Sequence, residues 1–189
     1  LLNTIKKIGG SGIIYLRSRK GTRDLAVFLQ KNKISADYYH AGLGIDVRDE
    51  KQKAWMSGRM KLMVATNAFG MGIDKDNVRY VLHMDLPDSL EAYFQEAGRA
   101  GRDGKKAYAV LLINKGDHTK LKTRFTKSFP PRDHIKQVYH SLGDFLSIPF
   151  ESGKGMVYDF KLFDFARKYA YDYVTAFNSL KLLEQDGYI

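Results

Sequence analysis

Short apolar runs at residues 13–16, 38–40, 62–66, 80–84 and 107–113 alternate with stretches of helical periodicity. That alternation predicts a parallel α/β lobe over the first 113 or so residues, because each buried strand needs an amphipathic helix to return the chain. Helices are expected at 22–32, with Leu25, Phe28 and Leu29 on one face, and at 47–56, with Asp46 as cap and Asp49 in the first turn. A third helix is expected from Ser89 to Gly98, where Asp88 and Glu91 stand at capping-box spacing and glycine ends the run.

A basic helical stretch at 117–128 runs into Phe129-Pro130-Pro131-Arg132, where consecutive prolines cannot continue a helix; the domain boundary is placed there, giving units 1–128 and 129–189. Beyond it, Ile135, Val138, Leu142 and Phe145 recur at helical spacing, 152–155 reads as a turn and 157–160 as a short strand. Leu162, Phe165, Ala166 and Tyr169 mark one helix; Tyr173, Phe177, Leu180 and Leu183 mark another, capped by Asp172 and stopped at Gly187. Helix, tight turn, helix, then Tyr188-Ile189 opening a strand is the order of a helix-turn-helix cut off inside its wing, although a plain helical bundle has the same periodicity.

Composition narrows the picture. The 189 residues are 44% hydrophobic, without an apolar run of membrane-spanning length or a leader-like N-terminus, so an intracellular protein, cytoplasmic or associated with a bacterial nucleoid, is expected. The absence of cysteine excludes disulfides and cysteine-ligated metals from this sequence. A net charge of +10 and a pI near 9.6 favour a polyanionic partner, since clustered Lys and Arg displace counterions from a nucleic-acid backbone. Starting at Leu1, the chain reads as a piece of a longer protein.

In an open parallel sheet, ligands meet the loops at the carboxyl ends of the strands. After the first strand, Arg17-Ser18-Arg19-Lys20 offers cations and a hydroxyl to a phosphate, or simply a solvated basic face. After the second, Tyr39-His40-Ala41-Gly42-Leu43-Gly44 supplies an imidazole and glycines that admit a close ligand. After the third, residues 64–75 (Val-Ala-Thr-Asn-Ala-Phe-Gly-Met-Gly-Ile-Asp-Lys) are too apolar and too glycine-rich for an ordinary connector and read as a moving part. Nowhere does the chain carry Gly-x-x-x-x-Gly-Lys-Ser/Thr, so the main triphosphate cradle lies elsewhere. The most specific segment is Gln95-Glu96-Ala97-Gly98-Arg99-Ala100-Gly101-Arg102-Asp103-Gly104, whose guanidinium groups, carried among glycines just past a helix, are suited to bridging phosphate oxygens.

Together these segments resemble motifs IV, V and VI of the RecQ helicases, in order and spacing, over roughly residues 1–113. The resemblance implies a RecA-like second motor lobe, with ATP and its magnesium held mainly by an N-terminal lobe outside this sequence; no zinc is expected in this chain, which has no cysteine. It implies Arg102 as an arginine finger, Arg99 and Gln95 gripping phosphates, and Gly72 and Asp74 facing the nucleotide. It assigns Arg17, Ser18, Arg19, His40, Gly42, Thr66 and Lys75 to the phosphates of single-stranded DNA, and Lys161, Arg167, Lys168 and Lys181 as candidates for duplex contacts. The motor so implied closes on ATP, shifts the 64–75 loop along the strand, and moves 3′ to 5′ on single-stranded or junction DNA. One departure stands out: the zinc-binding cysteines that usually follow motif VI in that family are missing, which points to a zinc-free variant. Two alternatives share much of the pattern, an RNA helicase or non-unwinding translocase lobe, and a winged-helix DNA-binding module.

Overall fold

The computed structural model describes residues 1–70, 72–149, 152–153 and 155–189. The backbone divides into two compact units, Leu1–Asp117 and His118–Ile189.

The first unit is built on five parallel strands, β1 (Ser11–Tyr15), β2 (Ala36–Tyr39), β3 (Leu62–Ala65), β4 (Val78–His83) and β5 (Tyr108–Leu111), in the order β2-β3-β1-β4-β5. This is the parallel α/β architecture expected from the apolar runs, as the RecA-like lobe implied by the resemblance requires, with strand ends differing by a residue or two. Side chains alternate across the sheet. Ile14, Val64 and Leu82 face a core with Ala26 and Leu29 of α2 (Arg19–Lys31) and Ile5 of α1 (Leu2–Ile8), a short helix that the sequence pattern had not marked. Ile13, Tyr15, Met63 and Val81 face the other core, with Trp55 of α3 (Ile45–Met56), Phe69 and Ile73.

The apolarity of the 64–75 loop has a structural cause. Phe69 is 1% exposed, its ring 4.8 Å from Tyr39 and edge-on to Trp55 at 5.3 Å, and Ile73 is buried beside it. The loop is pegged into the core at these two side chains, with glycines between them.

Three helix starts differ from expectation. α2 begins at Arg19, three residues before the expected Thr22, with Ser18 as its N-cap. α3 begins two residues earlier than Asp46 would cap it: Gly44 is the N-cap and Asp46 falls in the first turn, where its charge still suits the helix dipole. Ser89, not Asp88, caps α4 (Leu90–Ala97), its hydroxyl accepting from the Ala92 amide at 3.1 Å, while Asp88 pairs with Arg17.

The second unit holds α5 (Asp117–Ser128), whose first residue ends the first unit, then α6 (Arg132–Leu146), α7 (Leu162–Lys168) and α8 (Tyr173–Gln185). The division falls before α5 rather than at the prolines after it, because α5 is tied into this unit. Lys127 Nζ lies 2.8 Å from Asp172 Oδ2, and Asn178 Nδ2 donates to the Lys127 carbonyl at 2.9 Å. Asp172 caps α8 as expected, accepting from the Thr175 amide at 3.0 Å. With Lys127 and the amide and hydroxyl of Thr175 holding it charged, its carboxyl is depressed to about 2. Val138, Leu142, Phe165 and Ala176 form the core.

Neither residues 157–160 nor Tyr188-Ile189 adopt strand geometry. Val157 is almost fully exposed and, among the described residues, no strand pairs with it, so the backbone gains nothing from extending into one. The turn expected at 152–155 falls partly outside the described residues. Among the described residues, no helix is long and apolar enough to cross a membrane.

Candidate nucleotide-facing and nucleic-acid-facing site

The fold brings the motif V loop and the end of α4 against one another at the carboxyl side of the sheet. Gly70, Gly72, Asp74, Phe94, Gln95, Gly98, Arg99 and Arg102 line one open cleft of about 600 Å³. All five residues singled out for nucleotide chemistry, Gln95, Gly72, Asp74, Arg99 and Arg102, therefore share a wall, although they are drawn from two separate segments, the 64–75 loop and α4 with the turn that follows it.

Each arginine is engaged. Arg99 Nη1 donates to the Gly70 carbonyl at 2.6 Å, and the guanidinium lies so close that a Cβ at position 70 would sit 2.3 Å from Nη2, so a side chain there would displace the arginine. Arg102 Nη1 donates to the Ile73 carbonyl at 3.2 Å and to Asp74 Oδ1 at 2.8 Å. The Arg102 side chain is 38% exposed and that of Asp74 89%, so this pair sits in solvent at the cleft mouth. Exposed pairs of this kind contribute at most about 1 kcal/mol. A competing anion would displace so weak a pair at little cost.

The turn carrying these arginines is braced from beneath. Gly98 ends α4, Gly101 adopts φ +71° and donates its amide to the Val78 carbonyl at 2.9 Å, and Arg79 Nη2 reaches Asp103 Oδ1 at 2.5 Å. That bond and the Lys105 amide hold the Asp103 carboxyl below its usual range. Arg79 was not singled out by sequence; a lone arginine beginning an apolar strand gave no signal.

On the other loops, Arg19, His40 and Gly42 converge. A Cβ at Gly42 would stand 3.1 Å from Arg19 Nη1 and 3.3 Å from His40 Nδ1. Burial, then the Arg19 cation, holds the His40 imidazole below its ordinary value, so at neutral pH it offers a hydrogen bond rather than a charge. Ser18 caps α2, accepting from the Gly21 amide at 3.1 Å. Arg17 is paired with Asp88, and its amide donates to Asp85 Oδ2 at 3.0 Å. Thr66 is nearly buried, its hydroxyl accepting from the Ala68 amide at 3.4 Å.

Lys75 does not join them. It is 8% exposed, and its Nζ donates to the carbonyls of Trp55 at 3.0 Å and Met56 at 2.8 Å, over the indole ring. It caps the carboxyl end of α3, and burial holds its ammonium below the usual value against the opposing charge of Asp76. Sequence alone cannot tell a lysine reaching solvent from one folded back on a helix end. Lys75→Met is accordingly expected to lower stability by about 1–3 kcal/mol in urea denaturation while leaving single-strand affinity unchanged. Weaker DNA binding at unchanged stability would return Lys75 to the DNA face.

Residues 1–104 match the family described as "Helicase conserved C-terminal domain". RecQ-like DNA helicase blm-1 of Caenorhabditis elegans is 43% identical over 127 residues, 65% of this chain and 13% of that protein. ATP-dependent DNA helicase RecQ of Bacillus subtilis is 48% identical over 107 residues, 57% of this chain and 18% of that protein. The chain thus spans less than a quarter of either relative's length. Among solved structures, the Escherichia coli DEAD-box protein SrmB, bound to regulator of ribonuclease activity A, aligns with a TM-score of 0.58 and 30% identity, covering 64% of this chain and 72% of that one. With the parallel sheet, the paired arginines and this match over more than half its residues, the chain belongs to the helicase conserved C-terminal domain family, and its relatives in sequence include RecQ helicases.

Proposed function

We propose that this chain is the second motor lobe of an ATP-dependent DNA helicase of RecQ type, intracellular and moving 3′ to 5′. The observation that carries this reading is the convergence of Arg99, Arg102, Gln95, Gly72 and Asp74 on one cleft wall that holds no phosphate cradle of its own. Guanidinium groups and glycine backbone suit phosphate oxygens, so these residues fit a nucleotide seated on an N-terminal lobe, which also supplies the magnesium ligands.

In this reading ATP gives the phosphoryl group whose transfer drives the cycle. Arg102 exchanges Asp74 for the phosphoryl oxygens, where charge spreads in the transition state, and Arg99 leaves the Gly70 carbonyl for a neighbouring phosphate. Both exchanges release carbonyls of the 64–75 loop, so that engagement of nucleotide and movement of that loop are one event. Arg19, His40 and Gly42 follow the strand through its phosphates rather than its sequence, with Thr66, Ser18 and Arg17 beside them. α7 and α8 of the second unit form the helix-turn-helix of a zinc-free winged-helix-like module, with Lys161, Arg167, Lys168 and Lys181 as its duplex contacts. The DEAD-box fold similarity suits RNA as a second substrate, but the higher identity to DNA helicases favours DNA.

The test is a salt titration. Single-stranded DNA is expected to bind this chain with an affinity that falls linearly with salt on logarithmic axes. Arg19→Ala should weaken binding and flatten the slope by about 0.7, one phosphate contact. An unchanged slope removes Arg19 from the strand's path, and no salt-dependent binding at all removes the DNA face.

A further inference from the structure

The wall between the nucleotide-facing cleft and a second, smaller recess holds a buried polar network that the proposed chemistry does not use. This recess, about 110 Å³, is lined by Tyr15, Arg17, Asn67, His83, Asp85 and Glu96 among others. Arg17 and Asn67 belong to the loops assigned above to the DNA strand. Tyr15 and Glu96 therefore stand between the two faces.

The contacts are specific. The Tyr15 hydroxyl, at the end of the central strand β1, donates to the Phe69 carbonyl at 2.9 Å. Arg99 holds the next carbonyl, that of Gly70, at 2.6 Å. Consecutive carbonyls of the motif V loop are thus gripped by residues from motif IV and motif VI. The Arg99 cation and the Glu96 carboxylate both act on the Tyr15 hydroxyl, whose burial pushes its pKa well above the ordinary phenol value, so it remains a donor throughout the working pH range. Glu96 is fixed in turn by His83, which is 1% exposed, with Nε2 2.9 Å from Glu96 Oε2 and its ring stacked on Tyr15 at 5.5 Å and against Tyr93 at 5.2 Å. A strand position with a fully buried histidine, in a run otherwise apolar, needs such a partner.

We propose that Tyr15 is a positioning residue for the motor step: held by the His83–Glu96 pair, its hydroxyl fixes the Phe69 carbonyl so that movement of Arg99 at the nucleotide is transmitted to the motif V loop and the strand. It touches neither nucleotide nor DNA. When Arg99 releases Gly70, the adjacent peptide is still anchored at Phe69, so the loop pivots there instead of loosening as a whole. Without the hydroxyl, the Phe69 carbonyl loses this anchor and Arg99 shifts without carrying the loop.

The inference rests on the two-lobe motor reading, and its test separates the two. In the full-length helicase, ATP turnover is measured with and without single-stranded DNA for the wild type, Tyr15→Phe and Glu96→Gln. Tyr15→Phe keeps the ring stack on His83 and removes only the hydroxyl. It is expected to cut the ratio of DNA-stimulated to DNA-free turnover about tenfold, with little change in KM for ATP; Glu96→Gln, which retains a hydrogen bond to His83, should give a smaller loss in the same ratio. An unchanged ratio in Tyr15→Phe overturns the proposal. So does a parallel fall of turnover, KM and thermal stability in both variants, which would mark the network as packing alone. A wild type whose turnover ignores DNA would sink the motor reading itself.

Discussion

Replacing Arg102 by alanine in the full-length helicase is expected to slow ATP hydrolysis about 10³- to 10⁵-fold while leaving nucleotide affinity nearly unchanged. The magnitudes decide the point. In this structure the guanidinium is shared between the Ile73 carbonyl and the solvent-exposed Asp74 carboxylate, a pairing worth at most about 1 kcal/mol. A finger on the transferring phosphoryl group is worth roughly 4–7 kcal/mol of barrier, the equivalent of that rate factor. A residue with so little holding it at home, on a glycine-braced turn at the mouth of a cleft, is built to leave. Single-turnover hydrolysis beside a titration with a non-hydrolysable analogue separates the outcomes: loss of rate alone places Arg102 in the transition state, and equal loss of rate and binding makes it a structural arm of the loop. Arg102→Lys should recover little, because a point charge cannot present the planar fork.

The isolated chain, by the same reasoning, is expected to show no ATP turnover above background with or without single-stranded DNA, whereas the full-length protein is expected to turn over ATP and to respond to DNA. Arginines and glycines lining an open cleft can stabilise charge but cannot position a triphosphate or its metal against an attacking water, and positioning is most of phosphoryl-transfer catalysis. Release of phosphate from these 189 residues at rates near the full-length enzyme would mean that a complete site exists here and that the division of labour between lobes is wrong.

Much of the fold was legible in the sequence because strand and helix signals are local. Parallel strands buried on both faces read as unbroken apolar runs, and amphipathic helices announce themselves by period. Helix α1 went unmarked although Leu2, Ile5 and Ile8 stand at helical spacing. The 157–160 strand failed because a β-rich tetrad is only a strand if another strand receives it.

Motif VI, the glycine-rich loop of motif V, their order along the chain and the lack of a phosphate cradle were written in residue type and spacing, and these sufficed to point to the family. Partners were not. Whether Lys75 reaches outward or closes the end of α3, whether Asp88 caps α4 or neutralises Arg17, and that Tyr15, His83 and Glu96 meet in one buried network are decided by contacts between segments distant in sequence. A side chain's type fixes what it can bond, but only the folded chain determines which groups come within three ångströms of it and how much water remains to compete.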